Sequence, residues 1–185
     1  MDMDISEQVR QISQTMNNSG AGGLTGLVDL TAQRLIRLAV TITRNQHDAE
    51  DAVQSVLVRM ANGPQRLSSA ENPWRYLLQA VRNESLYVLR KRKKAVAIDG
   101  LADLLTHCPV DEIAKEESYR AVWSALRNLP VDQSEVVVLK IWEQLTFREI
   151  ADVLELSAST VASRYRYAME KLARMLDAES FEVQK

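Results

Sequence analysis

Residues 145–172, LTFREIADVLELSASTVASRYRYAMEKL, constrain the fold more than any other stretch. Phe147, Ile150, Ala151 and Leu154 recur at helical spacing, with Thr146 placed as an N-cap. Val161, Tyr165, Ala168, Met169 and Leu172 form an apolar stripe on a second helix that opens at residues 157–160. Glu155-Leu156-Ser157 is short enough for a helix-turn-helix connection, with Leu156 buried at the bend and Ala151 small where the helices cross. The second helix then exposes Ser159, Thr160, Ser163, Arg164, Arg166 and Tyr167, where such a motif meets bases and phosphates in the major groove. Periodicity alone equally describes a helical hairpin that only packs. Residues 128–176 carry six basic and seven acidic residues, a weak electrostatic footprint for a DNA reader.

The remaining sequence favours an all-α chain of two small helical domains. Only 6 Gly and 4 Pro occur in 185 residues, and no alternating strand pattern is evident. The single Cys108 excludes an intramolecular disulfide and suits a reducing cytoplasm. MDMDISEQVR lacks the basic and apolar regions of a signal peptide, and no apolar run reaches the roughly 20 residues of a membrane span, so membrane insertion is not expected. His107 and Cys108 are adjacent, but no second Cys/His pair stands at ligand spacing, which argues against a metal site. No nucleophile–base pair or Gly-rich phosphate loop is present, so neither catalysis nor a cofactor is expected.

Charge divides the chain. Residues 24–94 hold twelve basic against six acidic residues, a net of +6, while residues 95–127 hold three against six, a net of −3. Residues 1–23 begin with an amphipathic piece and reach NNSGAGG, an extension expected to be partly flexible. A helix over residues 24–43 follows, then a turn, then a helix capped by Asp48 whose start exposes Glu50, Asp51 and Gln54. These acids are ordinary helix-start chemistry or a docking patch for a basic partner. Residues 62–72 are expected to form a loop that ends at the N-cap Asn72, with Pro73 at the first helical position. The next helix, to about residue 94, has Trp74, Leu77, Leu78, Val81, Ser85 and Val88 inside. Arg75, Gln79, Arg82, Asn83 and Arg90 lie outside, and the helix ends in Arg90, Lys91, Arg92, Lys93 and Lys94. Five consecutive cations exceed what a helix C-terminus needs. With Trp74 and Tyr76 at its start, this helix has the makings of a phosphate-tracking, base-stacking surface. Residues 96–111 form an acidic linker. Further helices run from Pro109 to Leu129 and from Asp132 to Glu143, the latter burying Val136, Val137, Leu139 and Ile141, and residues 177–185 are a polar tail.

Taken in order, these stretches resemble the bacterial RNA polymerase sigma factors of the extracytoplasmic-function group. RLIRLAVTITRNQHDAEDAVQSVLVRM and NPWRYLLQAVRNESLYVLRKRKK are similar to the family's first domain, here residues 24–95. LPVDQSEVVVLKIWEQLTFREIADVLELSASTVASRYRYAMEKL is similar to its C-terminal domain, here within residues 112–176. The resemblance implies that Asp48, Glu50, Asp51 and Gln54 dock on the clamp helices of the largest subunit of core RNA polymerase. It further implies that Trp74, Arg75, Arg82, Asn83 and the 90–94 cations recognise and melt the proximal promoter element, with residues 62–72 as the loop that holds a flipped base. Ser159, Thr160, Ser163, Arg164 and Arg166 would read the distal element. An anti-sigma protein is an implied partner. This chain departs from the family where Ala162 replaces a common lysine and where Val131-Asp132-Gln133-Ser134 lacks the usual arginine. Two other readings stay open at this point: a conventional helix-turn-helix transcriptional regulator, and a sigma mimic that does not bind DNA.

Overall fold

Every regular element among the described residues is an α-helix. The structure, a computed structural model, describes residues 4–19, 21–99 and 117–182. In chain order the helices are α1 (Ile5–Ser19), α2 (Ala21–Thr43), α3 (Gln46–Asn62), α4 (Gln65–Ser68), α5 (Pro73–Asp99), α6 (Glu117–Asn128), α7 (Val131–Ile141), α8 (Phe147–Leu154) and α9 (Ala158–Glu182). They separate into two compact units, α1–α5 and α6–α9, with the tripeptide Arg44–Gln46 grouped with the second. Most of the acidic linker, with His107 and Cys108, lies outside the described residues.

The first unit is built on α2 and α5, which pack against one another. Leu27, Leu35, Leu38, Ala39 and Ile42 of α2 and Leu77, Leu78 and Val81 of α5 are fully buried, as their spacing predicts. Three threonines are also buried on α2. Their hydroxyls donate to carbonyl oxygens one turn back, Thr31 to Leu27 at 2.6 Å, Thr41 to Arg37 at 2.8 Å and Thr43 to Ala39 at 3.0 Å. The polar groups are thereby satisfied inside the helix that carries them.

Four sequence expectations are revised in this unit. The N-terminal segment is not a loosely attached extension: α1 packs on α2, α4 and α5, with Val9, Ser13 and Met16 buried. NNSGAGG is not a long break, since α2 begins at Ala21 and runs through its glycines. A Cβ added at Gly23 would lie 2.6 Å from Met16 Cγ and 2.8 Å from Met16 Cα, so α1 and α2 cross almost backbone to backbone. Residues 62–72 contain the short helix α4, pinned by the fully buried Leu67. Finally, α3 starts at Gln46, which puts Asp48 in its first turn rather than at its cap.

In the second unit, Trp123, Ala125, Leu126 and Leu129 of α6 join Val137 of α7 and Ala168 and Leu172 of α9 in one core. Trp123 and Trp142 meet with ring centroids 5.4 Å apart, and Phe147 and Tyr165 at 5.5 Å. α8 starts with a capping box: the Glu149 N–H donates to the Thr146 hydroxyl at 3.3 Å, and the Thr146 N–H donates to the Glu149 carboxylate at 2.8 Å. α8 ends at Glu155, whose φ of 57° reverses the chain in the left-handed region and lets Leu156 N–H reach the Ala151 carbonyl at 2.9 Å. Leu156 itself is half-buried rather than enclosed. Ser157 then caps α9, its hydroxyl accepting from Thr160 N–H at 3.1 Å.

Three apolar or terminal positions in this unit depart from expectation. Ile141, the last residue of α7, is 46% exposed. Met169 lies on the exposed flank of α9 rather than in its buried stripe. Residues 177–182, read from the sequence as part of a polar tail, continue α9 as far as Glu182.

Candidate nucleic-acid interface

Three surfaces carry the polar residues singled out in the sequence. The first is the outer face of α3. Asp51 and Gln54 are exposed, while Asp48 and Glu50 are half-buried and engaged in interactions of their own. His47, Asp51, Gln54 and Val58 follow one another at helical spacing along this face, and Val58 is 57% exposed. An acidic patch therefore grades into an apolar one along a single stripe.

The second surface is α5. The Asn72 side chain accepts from Arg75 N–H at 3.0 Å, confirming it as the N-cap. Asn83, Arg90, Lys91 and Lys94 are exposed, and their spacing places them on one flank of the helix. Arg75 and Arg82 are half-buried and already hold interactions within the protein. The side chain of Lys93 lies outside the described residues.

Trp74 corrects the sequence reading outright. It is 0% exposed and its indole sits in the core of the first unit, so it cannot stack on an incoming base without the unit opening. The exposed aromatic on this flank is instead Tyr87, 55% exposed between Asn83 and the Arg90–Lys91 pair. Its signal was available in the sequence: Tyr87 stands four residues from both Asn83 and Lys91 on the polar face.

Arg92 belongs to both surfaces. Its guanidinium donates to the Asp48 carboxylate at 2.7 Å and to the Thr43 carbonyl at 3.0 Å. One expected DNA-binding cation and one expected docking acid are thus partners in this structure. A second pair, Arg59 with Glu84 at 2.7 Å, also ties α3 to α5. Partly exposed pairs of this kind contribute up to about 1 kcal/mol each, so they set geometry more than stability.

The third surface is the start of α9. Ser159, Thr160, Ser163 and Arg166 are exposed, and Arg166 lies over the ring of Tyr167, 4.8 Å from its centroid. The hydroxyls of Ser159 and Thr160 cluster on that of Ser157, at 2.9 and 2.8 Å. Arg164 differs from its neighbours. It turns toward α7, with Asp132 at 3.5 Å and the buried Glu135 at 4.0 Å, so its charge is largely answered within the unit.

Comparison with known proteins settles what these surfaces belong to. Residues 27–95 match the model for sigma-70 region 2 and residues 119–172 the model for sigma-70 region 4. Over 154 residues the chain is 30% identical to the RNA polymerase sigma-E factor of Streptomyces coelicolor, covering 80% of this chain and 85% of that one. It is 35% identical over 147 residues to the ECF RNA polymerase sigma factor SigM of Mycobacterium tuberculosis, covering 78% and 72%. The chain belongs to the extracytoplasmic-function sigma factors. The fold agrees. The sigma factor RpoE in its co-crystal structure with the anti-sigma factor NepR from Bartonella quintana superposes with a TM-score of 0.69 at 23% identity, over 83% of this chain and 96% of that one. CnrH, solved in complex with the cytosolic domain of CnrY, gives 0.65 at 21% identity, over 95% and 99%. As a sigma factor, the protein gives core RNA polymerase its promoter specificity and directs transcription initiation. Family membership sets aside the conventional regulator.

Proposed function

We propose that this sigma factor divides its work among the three surfaces just described. The outer face of α3, through Asp51 and Gln54 with Asp48 and Glu50 beside them, docks on the clamp helices of the polymerase. The flank of α5 that carries Asn83, Arg90, Lys91 and Lys94 holds the proximal promoter element, with residues 62–72 as the loop that receives an unstacked base. Tyr87 takes the stacking role on that flank that Trp74 cannot fill. Ser159, Thr160, Ser163 and Arg166 read the distal element in the major groove, and Arg164 orients their helix from behind.

The observation that carries this reading is the contrast on α5: one flank buried to the last apolar residue from Trp74 to Val81, the other presenting exposed cations in register. Like-charged side chains so close together repel one another, and an anionic polymer relieves that repulsion. The chain acts as a binding subunit, with the chemistry left to the polymerase. It works in the cytoplasm, and no described helix is long and apolar enough to cross a membrane. An anti-sigma protein binds it, by analogy with RpoE in its complex with the anti-sigma factor NepR.

Run-off transcription with purified core polymerase tests the reading. Specific transcripts that need the protein, and that vanish when Asp51 and Gln54 are both replaced by alanine, are the expected result. Polymerase binding without any transcript would favour a mimic that occupies the enzyme without using promoter DNA.

A further inference from the structure

We propose that α1 is a brace for the loop that meets the proximal element, and that Arg10 is the positioning residue through which it acts. This rests on the assignment of residues 62–72 to that element. The Arg10 guanidinium donates to the main-chain carbonyl of Glu71 at 2.6 Å, a charge-assisted bond across 61 residues of sequence. Glu7, one turn earlier on α1, lies 3.9 Å from Arg10 Nε and helps to aim it.

The bond falls at a telling place. Leu67 anchors the near side of the segment in the core. On the far side Asn72 is committed to α5, its side chain accepting from Arg75 N–H at 3.0 Å and its carbonyl from Tyr76 N–H at 3.0 Å. Glu71 is the last residue before that commitment, and its carbonyl is held by a different helix. Ser69 and Glu71 are exposed between these fixed points. An exposed segment held at residues 67, 71 and 72 has little freedom to rearrange around an incoming base, so it favours the base whose shape fits it.

The brace needs α1 itself to be immobile. The crossing at Gly23, where a Cβ would sit 2.6 Å from Met16, seats α1 closely on α2, and α1 also packs on α4 and α5. Arg10 lies on the outer face of α1, away from its buried Val9, Ser13 and Met16, so its loss leaves the packing in place. The selectivity of the proximal-element loop therefore depends on a residue that touches neither DNA nor polymerase.

Hydrogen exchange and transcription together test this with the full-length protein. In Arg10→Ala, amides 69–72 exchange about three- to ten-fold faster, the range expected for loss of one such bond, while those of α3 do not change. Arg10→Lys, which keeps a cationic donor, recovers part of the protection. On a promoter that the protein fires in run-off transcription, Arg10→Ala narrows the ratio of transcript between the native proximal element and its single-base variants by a similar factor. Affinity for core polymerase stays the same. A double variant in the loop itself, Ser69→Ala with Glu71→Ala, separates the two ideas. If the loop variant loses base preference and Arg10→Ala keeps both preference and exchange rates, the brace is wrong and the loop assignment survives. If neither variant alters base preference, the loop assignment fails and takes the brace with it.

Discussion

The two helices proposed to meet DNA, α5 and α9, handle their cations in different ways. On α5 three cations of the C-terminal run, Arg90, Lys91 and Lys94, stand exposed, while Arg92 is paired with Asp48 and Arg75 and Arg82 hold interactions within the protein. On α9 Arg164 is turned to Asp132 and Glu135, and Arg166 is laid over a tyrosine ring. The surface of α5 thus suits grip, because each phosphate neutralised releases a counterion whatever the sequence. The surface of α9 suits reading, through small hydroxyls and one arginine, with little affinity of its own. A weak reader becomes useful when the tighter one and the polymerase raise its effective concentration at the promoter.

The sharpest way to break this comparison is Trp74→Ala. If the indole is core, the substitution lowers the stability of the first unit by about 3–5 kcal/mol, read as a fall in melting temperature. An unchanged melt with lost promoter opening would return Trp74 to the DNA surface. Next in size is the triple replacement of Arg90, Lys91 and Lys94 by alanine. Holoenzyme affinity for promoter DNA then falls about 10- to 100-fold, and the dependence of log affinity on log salt flattens by about two to three. Arg164→Ala with Arg166→Ala flattens it by about one, since of the two Arg166 is the exposed one and Arg164 is paired with Asp132 and Glu135. Equal slopes from the two experiments would erase the distinction between grip and reading.

Smaller effects probe the scaffolds. Gly23→Ala forces α1 off α2 and costs about 1–3 kcal/mol, measurable by urea denaturation. Thr146→Ala removes the capping box and costs the second unit about 1 kcal/mol.

Much of this architecture was legible in the sequence, and the failures share a cause. Asn72 and Thr146 announce their helices because a cap is a local bargain between a side chain and the next turn. The buried faces of α2 and α5 follow from spacing, since one apolar stripe per helix is enough to define inside and outside. A base-stacking role for Trp74 conflicts with the apolar face on which its own spacing puts it, and burial decides for the core; Ile141 and Met169 depart from their stripes because spacing alone does not say where a neighbouring helix packs. The glycines at the start of α2 suggest a flexible break when read alone, and only the presence of Met16 opposite Gly23 shows that they permit a close crossing. Ion pairs such as Arg92 with Asp48 link residues 44 apart, beyond any local pattern. The functional surfaces were therefore found as stretches, while the division between engaged and available side chains came from the fold.

The left-handed residue at the end of α8 has a consequence for protein engineering. Glu155 holds φ 57°, and Gln144, just before α8, holds φ 56°; neither is glycine. A side chain in that region costs about 1 kcal/mol that glycine would not incur. Both residues are exposed and lie outside the polymerase and promoter surfaces proposed above. Glycine at these two positions offers a more durable sigma factor, a starting point for synthetic transcription circuits, with its promoter preference left as it is.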